Sequence, residues 1–192
     1  MSDLSWWWST HPAWRPGEDW EPEVPVVRYE TPGQVTVIDP LLPSAGEFDP
    51  HGKPVCVLLT QPSHYRGTAE FVARYQASVW APPNAVWRHR PDPTTARRLP
   101  AGVEAIELGG EPQQVVFHIP DQATLVTGDV LSGVGGPLRV FVDEADARQL
   151  LPSLEALAAL PIERVIIPHG APVLTGGAAR IAAAVAAARG AR

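Results

Sequence analysis

A single cysteine, Cys56, excludes an internal disulfide. Its place in the apolar run Val55-Cys56-Val57-Leu58-Leu59 suits a small buried thiol in a strand, and a reducing compartment is expected. The chain also lacks a basic cluster: nothing longer than the Arg97-Arg98 pair occurs, and the formal net charge is −6. Neither nucleic acid nor an anionic membrane surface is an expected partner. No uninterrupted apolar stretch reaches the ~20 residues of a membrane-spanning helix. The Ala-rich segment 178–188 comes closest, but Arg180 and Arg189 sit in and beside it. The first residues, Met-Ser-Asp-Leu-Ser-Trp-Trp-Trp, have no basic start and no apolar core of a secretory leader, so a cytoplasmic location is expected. No glycine-rich phosphate loop, G-x-S-x-G elbow or C-x-x-C pair is present, which argues against nucleotide, serine-hydrolase and thioredoxin-like chemistry.

What the chain does have is the composition of one globular domain. At 192 residues with 45% hydrophobic and 19% charged residues, one core is expected, because two half-size domains would each bury too little apolar surface. Residues 1–23 form a Trp- and Pro-rich arm in which Trp6, Trp7, Trp8, Trp14 and Trp20 alternate with prolines. Proline blocks a regular helix while the indoles favour burial, so this arm should pack on the domain formed by residues 24–192.

Two β-branched runs, 24–29 and 34–38, flank Thr31-Pro32-Gly33, which has the chemistry of a tight turn. A strand at 55–60, a helix from Thr68 and a short strand at 78–81 make a βαβ unit. Residues 82–100 read as loop. Strands are expected near 103–108, 115–119 and 124–127, and a Gly-rich loop at 132–137. A helix capped by Asp143 follows, with Leu150, Leu151, Leu154 and Leu157 on one stripe and Pro152 kinking or restarting it. A strand at 165–167 then runs into Pro168-His169-Gly170, and Thr175 can cap a last helix with Ile181, Val185 and Ala188 facing inward.

Polar residues directly after apolar strands mark where α/β sheets place ligands. Three such places stand out: 61–67, Asp129 and His169. Read in order, Val37-Ile38-Asp39-Pro40, Val57-Leu58-Leu59-Thr60, Leu125-Val126-Thr127-Gly128-Asp129 and Val165-Ile166-Ile167-Pro168-His169-Gly170 resemble the strand ends of the metallo-β-lactamase superfamily, over most of the chain from Val24 onward. That resemblance implies a four-layer αββα sandwich. It also implies an H-x-H-x-D-H motif after Thr60, but the matching positions here are Gln61, Ser63, Tyr65 and Arg66. None is a usual zinc ligand. The family's next histidine would fall near 109–112, where none stands.

Asp129 at the family's bridging position and His169 at its last one survive, and they are the candidate catalytic residues. Two arrangements remain open. With no deletion in the altered motif, Arg66 directs its guanidinium toward Asp129 and replaces a cation, and no cofactor is expected. With a deletion, His64 joins Asp129 and His169 as ligands of one zinc or similar divalent metal. Ser63 beside His64 has no acidic partner evident in sequence, so a Ser/His nucleophile is a remote reading. His118 reads as a strand side chain, and His11, His51 and His89 as loop residues. The first arrangement implies a non-catalytic cleft that binds a small molecule or a partner protein. The second implies a hydrolase of an ester, lactone or thioester. Ligand identity and oligomeric state are not encoded in any motif.

Overall fold

The computed structural model describes residues 1–11, 22–44, 46–88, 91–141 and 144–190. Alternation within the strands decides the layers. In β2 (Glu23–Glu30), Val24 and Val26 face one way while Val27 and Tyr29 face the other, and all four are buried. The same holds in β3 (Val35–Ile38) and β4 (Val55–Leu58), where Val55 and Val57 face outward and Cys56 and Leu58 inward. A strand covered on both faces lies inside a layered structure rather than on its surface.

These strands belong to a five-stranded sheet completed by β1 (Asp3–Thr10) on one edge and β5 (Ser78–Trp80) on the other. β1, β2 and β3 pair antiparallel, whereas β3, β4 and β5 run parallel. The second sheet has the order β11-β8-β7-β6, comprising β6 (Glu104–Leu108), β7 (Glu111–Ile119), β8 (Thr124–Val126) and β11 (Arg164–Ile166). A two-stranded ribbon of β9 (Leu131–Ser132) and β10 (Arg139–Val140) flanks the expected Gly-rich loop 132–137 and overlaps it only at Ser132. Its few residues carry no alternation long enough to be seen in sequence.

Three apolar layers follow. Val27, Ile38, Leu58, Phe117, Val126 and Ile166 pack between the two sheets. Phe71 of α1 (Thr68–Tyr75) packs with Val35, Val57 and Val79 outside the first sheet. Leu150 and Leu154 of α2 (Glu144–Ala158), with Ile181 and Val185 of α3 (Gly177–Gly190), cover Val116, Leu125 and Val165 of the second. This is the expected αββα sandwich.

Some local expectations change. α2 runs on through Pro152 without restarting, because the lost main-chain donor costs less than uncovering Leu150, Leu151, Leu154 and Leu157, each at most 3% exposed. α3 begins at Gly177, two residues after Thr175, and its Ile181, Val185 and Ala188 face the core as expected. Residues 3–10 of the Trp-rich arm form the edge strand β1. Trp6 packs toward the space between the sheets, Trp7 donates from Nε1 to the Leu41 carbonyl at 3.0 Å, and only Trp8 of the three is exposed. Trp14, Trp20, His89 and Asp143 lie outside the described residues. No helix among the described residues is long and apolar enough to cross a membrane.

Candidate functional site

Four strand ends meet on one rim of the sandwich. Parallel pairing of β3 with β4 and of β8 with β11 brings their C-terminal ends together, and the polar residues after each strand converge there. Asp39 follows β3, Thr60 to Arg66 follow β4, Asp129 follows β8 and His169 follows β11. The two sheets are joined at this rim by a main-chain bond from Val115 N to Thr60 O, 2.9 Å.

Asp39 is buried. Its carboxylate accepts from Thr60 N at 2.8 Å and Thr60 Oγ1 at 2.7 Å, and faces His64 Nδ1 at 2.8 Å. Asp39 and Arg66 both have positive φ, 52° and 39°. Asp tolerates this region, but a long side chain such as arginine occupies it only where the surroundings enforce it. The turn between them is pinned by Gly67 N donating to Pro40 O at 2.8 Å, and a Cβ on Gly67 would lie 3.0 Å from that same oxygen. The short turn Pro62–Tyr65 thereby directs His64 inward while leaving Ser63 exposed.

The second nitrogen of His64, Nε2, lies 3.2 Å from Asp129 Oδ1, and His169 Nε2 lies 3.4 Å from the same oxygen. Gln61 Nε2 donates to Asp129 Oδ2 at 2.5 Å and also lies 2.9 Å from His64 Nε2, so one amide touches both members of the pair. Gln114 supports them from below. Oriented to satisfy its neighbours, its amide donates to Gln61 Oε1 at 3.2 Å and accepts from the main-chain N–H of Asp129 at 2.9 Å and of Val130 at 3.2 Å. A Cβ on Gly128 would crowd this arrangement, standing 2.4 Å from the Gln114 side-chain amide.

Burial and the Arg66 guanidinium each push the His64 imidazole down, but the carboxylates of Asp39 and Asp129 outweigh them and its pKa is raised. Burial would raise the Asp129 carboxyl, yet the charge of His64 and the hydrogen bond and charge of His169 hold it well below the usual carboxylate range. Burial lowers the Arg66 pKa, against the pull of Asp39 and Asp129. Arginine nevertheless keeps its charge at any ordinary pH. Arg66 Nη1 lies 3.4 Å from the Asp39 carbonyl, beside a crevice of about 10 Å³ walled by Pro25, Val27, Thr127 and Pro168. That space admits at most one water.

Access divides the group. The His64 side chain is 6% exposed, whereas those of Asp129 and His169 are 35% and 17% exposed, so a ligand would meet the latter two. Of the residues singled out from sequence, Gln61, His64, Asp129 and His169 come together and Arg66 lies beneath them. Tyr65 instead turns its ring edge-on to Trp87, 6.3 Å between centroids. Asp39 and Gln114 were not anticipated as site residues. Asp39 carried a faint signal, an acid directly after an apolar strand, while Gln114 carried none. His118 is a buried strand residue facing Glu104 at 3.1 Å, as its position in an apolar run suggested.

Two face-to-face sheets, outer helices and a polar rim at the strand ends define the class of structure. The particular fold is that of the metallo-β-lactamases. The metallo-beta-lactamase family protein TTHA1429 from Thermus thermophilus superposes with a TM-score of 0.62 at 18% identity, over 97% of this chain and 79% of that one. The archaeal metallo-beta-lactamase superfamily protein ST1585 from Sulfolobus tokodaii gives a TM-score of 0.64 at 13% identity, over 96% and 85%. TTHA1623, solved in a di-iron-bound form, gives 0.56 at 21% identity, over 86% and 96%. Likeness at these identities is a likeness of fold. The sequence matches no protein-family model and no curated protein.

Proposed function

We propose that the rim cleft binds a small molecule and does so without the pair of metal ions that the fold commonly carries, its charge being balanced by the chain's own cations. The observation that carries this reading is the clamped His64 ring, with Nδ1 2.8 Å from Asp39 Oδ2 and Nε2 3.2 Å from Asp129 Oδ1. Two carboxylates facing two nitrogens of one ring favour an imidazolium. With the buried Arg66 guanidinium beside them, two anions then meet two cations, and a divalent ion would bring unbalanced charge.

The donor set argues the same way. Two zinc ions need seven or eight first-shell positions, and the motif positions offer an amide, an exposed hydroxyl, a phenol turned toward Trp87 and a guanidinium.

One observation favours a second reading, a hydrolase with a single metal. His64 Nε2 and His169 Nε2 lie 3.2 and 3.4 Å from one oxygen of Asp129. Ligands about 2.1 Å from one tetrahedral ion stand about 3.4 Å from each other. Asp39 would orient His64 through Nδ1, as carboxylates do behind metal-bound histidines. A divalent ion held by His64, Asp129 and His169 after small adjustment would polarise a carbonyl and acidify water.

Elemental analysis of untagged protein, covering zinc, iron and manganese, separates the two. Less than about 0.1 ion per chain after saturation and desalting supports the metal-free cleft. One ion per chain, lost in His64→Ala, supports the single-metal hydrolase, and two tightly bound ions overturn both.

A further inference from the structure

Of the four edges of the two main sheets, three are covered or blunted by described residues. At the β5 edge, Thr95 N and Ala96 N both donate to Val79 O at 2.8 Å. At the β11 edge, Val165 and Val173 exchange two main-chain bonds of 2.9 Å. The β6 edge breaks register between Glu107 and Leu108 and carries Glu104 and Glu107. Cover, bulges and charge are the usual means of keeping a sheet edge from pairing with another chain. β1 differs. Its eight residues, Asp-Leu-Ser-Trp-Trp-Trp-Ser-Thr, run in unbroken register with β2, without lysine, arginine or proline and with Asp3 as the one charge.

The bonding pattern shows which groups this edge presents. Thr31 N donates to Gln34 O at 2.9 Å, and antiparallel bonds alternate from pair to pair, so Val27 and Tyr29 bond toward β3. Val24, Val26, Arg28 and Glu30 then bond toward β1, where they meet Ser9, Trp7, Ser5 and Asp3. The main-chain N–H and C=O of Leu4, Trp6, Trp8 and Thr10 therefore point out of the sheet, and no main-chain bond from another described residue meets them. Such a row is a template for one more strand.

We infer that this edge pairs antiparallel with the same edge of a second copy of the chain, across a twofold axis at Trp7, joining two five-stranded sheets into one. In that register Leu4 meets Thr10 of the second copy and Trp6 meets its Trp8. Every outward group then finds a complement, and about eight main-chain bonds form, a number usual for a specific interface. Trp8, 39% exposed, is covered by the partly buried Trp6 of the other copy, and the symmetry repeats the contact. Asp3 falls opposite His11, so no like charges meet. A second copy fits better than an unrelated extended peptide because the strand itself supplies both the matching bonds and the matching indoles. Nothing in this pairing depends on what the rim binds.

Sedimentation equilibrium of the untagged chain between about 1 and 200 µM tests it. Expected is a monomer–dimer equilibrium. In the dimer, spin labels on Asp3→Cys should stand about 27 Å apart, the span of roughly eight residues of strand, while buried Cys56 stays unlabelled. Trp8→Pro removes one outward donor per copy without touching a β1–β2 bond, and Trp8→Lys sets a charge at the contact. Each should weaken dimerisation at least about tenfold, with urea unfolding confirming an intact fold. Val72→Lys, at a 42% exposed position on α1, should leave it unchanged. A chain that stays monomeric at about 200 µM overturns the inference. So does a dimer whose affinity is unchanged in either Trp8 variant that folds, or whose labels lie outside about 20–35 Å.

Discussion

His64 and Asp39 form a buried pair, Nδ1 to Oδ2 2.8 Å, each side chain only 6% exposed. Because Asp39 also takes both the N–H and the hydroxyl of Thr60, this pair ties the end of β3 to the end of β4 and fixes the direction of the second imidazole nitrogen.

Breaking that pair should be costly from either side. Asp39→Ala and His64→Ala are each expected to destabilise the fold by about 3–5 kcal/mol, the usual cost of leaving one buried partner uncompensated. The double variant should lose much less than the sum. Urea unfolding of the three variants decides it. A loss below about 1 kcal/mol for His64→Ala would show that the imidazole is a passenger.

Stability should depend on pH in two windows. The raised pKa of His64 means that the folded state holds its proton more tightly than the unfolded chain does. Its contribution is therefore complete below the unfolded value of about 6.5 and lost as pH rises through the folded value. The depressed pKa of Asp129 acts oppositely, contributing fully above about 4 and fading as pH falls toward its folded value. Thermal unfolding against pH should show greatest stability between about pH 4 and 6.5 from these two groups. The alkaline fall should flatten in His64→Gln.

Arg66→Met should destabilise the fold, by about 3–5 kcal/mol if its guanidinium is the compensating charge for Asp39 and Asp129. It should also raise the His64 pKa further, because the guanidinium is one of the influences holding it down. Imidazole NMR titration reads this directly. A His64 pKa that falls in the variant would mean that Arg66 acts by positioning the carboxylates rather than by its charge.

Gly128→Ala should disturb the site without touching any ionised group. The new methyl would stand 2.4 Å from the Gln114 side-chain amide and 3.2 Å from Thr60 Oγ1. Displacing Gln114 removes the acceptor for the Asp129 and Val130 amides, so a loss of about 1–3 kcal/mol is expected, the range for overpacking. Amide shifts at Asp129 and Val130 should be the largest in the spectrum. Unchanged shifts there would remove Gln114 from the site.

Cys56, 2% exposed and with its thiol pKa raised by burial, should react with a disulfide reagent only as fast as the protein opens. Reaction at the rate of a free thiol would contradict its place in β4.

The sequence by itself determined the layered fold, because runs such as Val55-Cys56-Val57-Leu58 are apolar on both faces and only a strand covered twice can bury them. It also marked Asp129 and His169, since a polar residue directly after such a strand must emerge at the rim. It could not determine who neutralises Asp129. His64 and Arg66 are two residues apart, and which one points inward depends on the positive φ of Arg66, the Gly67 to Pro40 bond and the short turn between them. Nor could it show Asp39 as the acid behind His64, 25 residues away, or Gln114 beneath Asp129. Those contacts arise only where parallel pairing of β3 with β4, and the meeting of two sheets, bring strand ends that are distant in sequence to one point. The apolar pattern specifies which faces are buried, but the register and the turns decide which polar side chains meet.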